Sequence, residues 1–346
     1  MKTKLCWYWV LFFLIIIIAC DKKDETLIPL DNPILPGRGF YMGVLPTPAV
    51  NQSFDSAYRQ VSYYAEFVPI WGRPTPFYNL ANEIAGSWGR TFVTNLTRGN
   101  GMFPIIHMSF IGVGMSLISP PNIIGPTLNN NEWRNAYKNA AIEIVKAARP
   151  LYLSLGNEVN RWYEVYDTSI NNPNGFQHFI SLYNEIYDTL KIICPQLKIF
   201  CTFAREITSQ YREADLGVLN LFDANKLDLL VFTTYPHAVQ TINRPSDIPI
   251  NYYSRIESIL PNKQFGFSEI AWPSMTAFGG DSAQAEFLTL VVNQLTRNQG
   301  IDLKFFGWAW LTDLDTNDYL GLIRRDGTEK LAYNVWKNIS VGSRYK

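Results

Sequence analysis

LYLSLGNEVN, residues 151–160, is a run of strand-forming apolar residues that ends in an amide and a carboxylate, Asn157 and Glu158. Leu151, Leu153 and Leu155 alternate with Tyr152 and Ser154, Pro150 punctuates the start, and Gly156 lets the chain turn as the strand ends. A carboxylate leaving a buried strand either serves the local turn, here by capping it or pairing with Arg161, or does chemistry. A second stretch decides between them. QFGFSEIAWPS, residues 264–274, again carries an apolar strand, Phe265 to Phe267, into a lone carboxylate, Glu269, followed by Trp272 and Pro273. Two strands ending this way point to paired carboxylates.

Working outward, the chain alternates strand and helix signals from Asn32 onward. GFYMGVLP (39–46), AEFVPIW (65–71), MFPIIHMSF (102–110), LKIFCTF (197–203), LDLLVFTTYP (227–236) and LKFFGWAW (303–310) read as strands beside the two already quoted. Helical spacing follows: 53–64 with Phe54, Tyr58 and Val61 inward, about 78–97, 133–148, and 176–190 closed by Pro195, with further helical patterns expected after each later strand. Asp281 and Gln284 have the spacing of a capping box. The strands are apolar throughout rather than half polar, as in a parallel sheet covered by helices on its outer face. Eight such units close a barrel, so the expected fold is α/β, a single (β/α)8 TIM barrel. Glu158 and Glu269, 111 residues apart, then leave the fourth and seventh strands at the C-terminal rim, the active face of such barrels.

Residues 1–20 do not belong to that barrel. Lys2 and Lys4 precede an apolar run, Leu5 to Ile18, that is short for a membrane span and ends at Ala19-Cys20, the layout of a secretory signal. The ending IIAC resembles a bacterial lipobox, which implies lipidation of Cys20; the alternative is an uncleaved N-terminal anchor. Residues 21–31 read as a flexible tether, and the leader DKKDE resembles the surface-export tags of some Gram-negative lipoproteins. The expected organisation is a signal peptide (1–20), a tether (21–31) and a barrel (32–346), lipid-anchored in the cell envelope. Without Lys2 and Lys4 the chain carries 28 basic against 30 acidic residues, a balance that suggests no nucleic-acid partner. Cys194 and Cys201 lie in the barrel and either bridge or stay as buried thiols. No His, Cys and Asp cluster has metal-ligand spacing, no glycine-rich phosphate loop follows a strand, and no serine sits in a nucleophile elbow. Neither a metal nor a cofactor is expected, and the barrel is expected to be a monomer.

The Asn-Glu of LGNEV, the lone Glu of FSEIAWPS and the Tyr of TTYPH fall at the ends of the fourth, seventh and sixth strands. In this the chain resembles the clan A glycoside hydrolases, the "4/7" barrels, in order along the whole barrel. GWAWLTD and GLIRRDGTEKLAY are similar to the eighth strand and closing hairpin of many clan members. SEIAWPS resembles the plant-type β-1,3-glucanases, whereas the barrel's proportions and HMSF resemble the endo-β-1,4-galactanases. The resemblance implies a retaining, endo-acting hydrolase of a β-linked oligo- or polysaccharide. A glycosidic bond breaks through an oxocarbenium-like state that needs a proton on the leaving oxygen and negative charge behind the anomeric carbon, and a retaining enzyme sets its carboxyls ~5–5.5 Å apart.

By the same resemblance Glu158 is the acid/base, Glu269 the nucleophile, Tyr235 a hydrogen-bond donor that keeps Glu269 ionised, and Asn157 the partner of the sugar 2-hydroxyl. His107, ending the third strand, matches a histidine of the sugar subsite or is a structural histidine; His237 has a rim position. Arg73 lies near the clan arginine beside the nucleophile, two residues further along. Glu206, next to Arg205 after the fifth strand, is the rival carboxylate. Aromatic residues make up 14% of the chain, and Trp71, Trp272, Trp308 and Trp310 fall at strand ends where a ring can stack on a sugar. Strict alternation sends Trp308 and Trp310 the same way, Trp308 being the expected platform and Trp310 the core residue. The alternative function is a non-catalytic surface glycan-binding lipoprotein that keeps the aromatic cleft, for which both glutamates and Asn157 together would be superfluous.

Overall fold

A computed structural model describes residues 26–71, 76–297 and 301–342. The strands are β1 (Tyr41–Leu45), β2 (Phe67–Ile70), β3 (Phe103–His107), β4 (Tyr152–Ser154), β5 (Lys198–Phe200), β6 (Thr202–Ala204), the hairpin β7 (Glu206–Ile207) and β8 (Arg212–Glu213), then β9 (Leu230–Thr234), β10 (Gln264–Ile270) and β11 (Asp302–Trp310). One all-parallel sheet runs β5-β4-β3-β2-β1-β11-β10-β9-β6. Its two end strands are halves of one strand on either side of Cys201: β5 pairs with β4 and β6 pairs with β9. The sheet therefore closes as a (β/α)8 barrel, and the eight expected strands are all present.

The barrel's inside is filled by aromatic rings rather than by a channel. Phe67, Phe103, Tyr152, Phe200 and Phe305, one from each of five strands, meet with centroids 5.6–6.0 Å apart. Those inward rings and the outward ones, such as Phe306 against Trp336, are what the near-continuous apolar strands encode. Cys194 and Cys201 are both buried free thiols.

Helices Phe54–Ser62, Phe77–Ala85, Asn131–Ala148, Phe176–Ile193, Gly280–Arg297 and Leu331–Ser340 cover six of the strands. Units five and six differ from expectation. After β6 and after β9 the described chain forms single 3-10 turns, Gly217–Leu221 and Ala224–Lys226, then Pro236–Ala238, Pro245–Asp247 and Ser254–Ser258. Pro236, Pro245, Pro249 and Pro261 interrupt the second connection often enough that none of its turns can propagate. The helix expected over 78–97 is also divided, since Gly86 adopts extended backbone and an eight-residue π-helix, Arg90–Thr97, follows. Phe54 is half exposed rather than inward. The capping box does not form: Asp281 accepts from Arg324 Nη2 at 2.6 Å, and Gln284, fully buried, donates to the Trp272 carbonyl at 2.9 Å.

A further correction concerns the tether. Thr26–Asp31 does not hang free but lies along the helix ends at the N-terminal rim of the strands. The Leu27 amide donates to Ile193 O (2.7 Å), the Leu30 amide to Arg149 O (2.8 Å), Arg149 Nε to Ile28 O (2.8 Å), and Asp31 pairs with Arg98 at 2.8 Å. Leu5–Ile18 and Cys20 lie outside the described residues. No described helix is long and apolar enough to cross a membrane.

Candidate active site

Two β-bulges aim the side chains of the C-terminal rim. Along β10, Phe267 pairs with Phe232 but Glu269 with Thr233, so Ser268 is an extra residue in the strand. Phe267 faces the helices, against Tyr253 and Phe306. Unbroken alternation would send Glu269 the same way; the inserted residue reverses the parity and puts Glu269 beside inward-facing Thr233. The neighbouring strand must come close here, and a Cβ on Gly307 would sit 2.6 Å from Ser268 O. β11 repeats the device, with Val44 opposite Trp308 and Leu45 opposite Trp310.

That second bulge overturns the reading of the tryptophans. Trp308 is fully buried, packed on Phe287 and donating from Nε1 to Leu320 O at 2.8 Å. It belongs to the layer between barrel and helices and presents no face to a sugar. Trp310 is turned to the opposite side, half buried at the rim, with Nε1 lacking a partner among the described residues. Trp272 is likewise fully buried, donating to Phe278 O at 3.2 Å and packed on Phe287, so it too is a core ring rather than a platform. A bulge changes parity without a residue type of its own, which is why alternation misassigned this pair.

At the end of β4 the turn is carried by Glu158 itself, in left-handed conformation at φ 49°. Gly156 is needed for space, since a Cβ there would come within 2.4 Å of Val159 Cγ1. Glu158 Oε1 accepts from Thr233 Oγ1 at 2.7 Å, and Oε2 from Arg161 at 2.7 Å, so the local ion pair and the rim position coexist. The Tyr235 hydroxyl donates to Glu269 Oε1. Burial pushes the Glu269 carboxyl up to about 7; the Tyr235 bond opposes the rise and the Glu158 charge adds to it. Burial and the adjacent carboxylates Glu269, Glu158 and Glu206 hold the Tyr235 phenol protonated, which fixes it as a donor. The expected hydrogen bond from Tyr235 is present, and desolvation of Glu269 outweighs it.

Several buried polar atoms around the pair have no partner among the described residues: Asn157 Oδ1, both ring nitrogens of His107, His237 Nδ1 and Trp310 Nε1. Unpaired buried polar atoms cost about 1–3 kcal/mol each unless a ligand or water serves them. His107, ending β3, stacks on Trp71 with centroids 3.8 Å apart, and burial pushes it down to about 3. His237 is packed edge-on between Trp272 and Phe278 and pushed down to about 4 by burial. Both are thereby held neutral near pH 7. Arg73 lies outside the described residues. Glu206, the rival carboxylate, is buried and accepts from Thr234 Oγ1 (2.9 Å), the Tyr235 amide (2.6 Å) and Tyr252 Oη (2.6 Å). Thr233 and Arg161 complete the pair's surroundings; the Arg161 pairing was legible from its three-residue spacing, whereas nothing in the sequence singled out Thr233.

No protein-family model matches this sequence, and no curated protein matches it. Solved structures do match. A family 39 glycoside hydrolase from the gut symbiont Bacteroides cellulosilyticus WH2 superposes with TM-score 0.61 at 19% identity, over 90% of this chain and 65% of that one. The chain thus spans about two thirds of that enzyme's length. A GH5_18 protein from Bifidobacterium longum subsp. infantis matches with TM-score 0.61 at 11% identity, over 89% and 80%. A GH5_18 protein from Streptomyces cattleya in complex with GlcNAc matches with TM-score 0.60 at 12% identity, over 88% and 80%. At these identities the likeness shows the fold: the chain has the barrel that these glycoside hydrolases have.

Proposed function

We propose that this protein is a retaining glycoside hydrolase acting on a β-linked oligo- or polysaccharide. Glu158 serves as acid/base and Glu269 as nucleophile. One observation carries the reading: two carboxylates leave strands four and seven at the same rim, Glu158 accepting from Thr233, the residue opposite Glu269 in the sheet, with Tyr235 donating to Glu269. The unpartnered atoms of Asn157, His107 and Trp310 suit a ligand rich in hydroxyls. In glycosylation Glu269 attacks the anomeric carbon as the glycosidic bond breaks and Glu158 gives its proton to the leaving oxygen; in the second half-reaction water, giving a proton to Glu158, attacks the anomeric carbon and the glycosyl–Glu269 bond breaks. Arg161 and Thr233 hold the Glu158 carboxyl in place at the rim. Endo action, which rests on the resemblance to clan A, and an envelope location anchored through Cys20, which rests on the N-terminal sequence alone, belong to the same proposal.

A dinitrophenyl glycoside tests the assignment, because its leaving group departs without protonation. Glu158→Ala should accumulate the glycosyl-enzyme and be rescued by azide to a glycosyl azide of retained configuration, whereas Glu269→Ala should give the inverted azide. Azide without effect on either variant, with an active wild type, refutes the roles. A wild type that binds β-glycans and releases no dinitrophenol from any glycoside establishes the glycan-binding alternative. For the anchor, Cys20→Ser should release the protein from membranes or stop its processing; acyl chains still present on that variant refute it.

A further inference from the structure

We propose that Glu206 is a positioning residue for the nucleophile, acting through Tyr235: it fixes the Tyr235 backbone so that the phenol stays on Glu269. This inference rests on the nucleophile role given to Glu269. Glu206 is 4% exposed and its two oxygens already take three donors. A carboxyl so occupied has no business with a substrate, yet it is bound at 2.6 Å to the amide of the residue whose hydroxyl holds Glu269. Tyr235 needs such a hold. It has left the strand, at φ −138° and ψ 69°, and Pro236 follows, so no ladder hydrogen bond continues beyond it.

The donors that hold Glu206 come from the irregular sixth connection. Tyr252 Oη reaches Glu206 because residues 236–263 run in short turns that dip inward where a helix would lie on the surface, and Tyr252 is fully buried. Its ring packs between Arg205 at 4.2 Å and Arg255 at 5.0 Å, its carbonyl accepts from Arg205 Nη2 at 3.2 Å, and both guanidiniums meet Glu213. A chain of contacts thus runs from the surface ion pair through Tyr252 and Glu206 to Tyr235 and Glu269. Around Glu269 the facing groups are Tyr235 from the end of β9 and Glu158 from the end of β4.

Four substitutions, two of them combined in a double-mutant cycle, test this. In Glu206→Gln the amide oxygen can accept from Tyr235 N while the NH2 donates to the Thr234 and Tyr252 hydroxyls, so activity should stay within a few-fold of wild type. Glu206→Ala should lower kcat about 10-fold or more at unchanged KM, the scale of one lost charge-assisted hydrogen bond. In a Tyr235→Phe background the same change should cost almost nothing further. Tyr252→Phe, which removes one of the three donors, gives the cycle in a milder form if Glu206→Ala does not fold. Independent of turnover, the Glu269 titration followed by 13C NMR should move to higher pH in Glu206→Ala and in Tyr235→Phe, without adding, and stay in place in Glu206→Gln. A Glu206→Gln variant as dead as Glu269→Gln makes Glu206 a catalytic carboxylate and overturns the proposal. So does a Glu206→Ala variant that loses thermal stability while kcat and the Glu269 titration are unchanged, or additivity with Tyr235→Phe. A wild type that turns over no glycoside sinks the hydrolase reading, while the titration still decides the positioning.

Discussion

The ends of the fifth and seventh strands each hold a carboxyl, Glu206 buried and Glu269 partly buried, and burial pushes both up to about 7. They differ in how many partners the fold provides. Glu206 takes three donors, whereas among the described residues Tyr235 is the one donor to Glu269. A raised carboxyl therefore does not by itself mark a reacting group; the proposed role of Glu269 draws instead on its spare bonding capacity and on the unserved atoms of Asn157, His107 and Trp310. The strand-five corner pairs its carboxyl oxygens fully, whereas the strand-seven carboxyl keeps bonding capacity to spare.

The same isosteric change at both ends should break the comparison most clearly. Glu269→Gln should lower kcat on any accepted glycoside on the order of 10⁴-fold or more, because an amide neither attacks nor balances the cation. Glu206→Gln should leave it within a few-fold, and equal losses would erase the distinction. Next in size are the two tryptophans. Trp310→Ala should weaken binding of a β-glycan about 2- to 10-fold, as expected for one lost stacking ring, with little change in melting temperature. Trp308→Phe should lower the melting temperature and leave binding alone. Oligosaccharide titration calorimetry alongside thermal unfolding separates them, and the reverse pattern would put Trp308 in the cleft.

The smallest effect is a pH dependence of stability. For Glu206 the folded value, about 7, lies above the ordinary 4.5. The folded state therefore holds a proton that the unfolded chain has released, and the stability it lends is lost as pH rises from about 4.5 to about 7. Glu206→Gln removes that loss, so its melting temperature relative to wild type should climb across this window by an amount on the order of a few °C, then level off. A constant difference from pH 4 to 8 would show that Glu206 does not titrate there.

What could be read in the sequence follows from what each element needs. A barrel strand must be apolar on both faces, so all eight strands are visible as short apolar runs, and Glu158 and Glu269 stand out because a carboxylate interrupts such a run. Parity is another matter. Ser268 and Ala309 are ordinary strand residues, and only the register of their neighbours shows that each strand holds one residue too many. The roles of Trp308 and Trp310 were exchanged for that reason, whereas the aim of Glu269 required the bulge that the sequence conceals. In units five and six the apolar residues that suggested helices serve turns instead: Tyr252, Tyr253 and Ile256 are buried one by one as the chain doubles back between prolines. Thr233 was invisible because a threonine in a β-strand has nothing unusual about it.

Thr26–Asp31 is fastened to the barrel's N-terminal rim, at the ends of the helices before Arg149 and Cys194, and so opposite the carboxylates. The strap works like the stem of a cup. Under the proposed attachment through Cys20, a strap on this rim would leave the opposite, carboxylate-bearing rim free of the support.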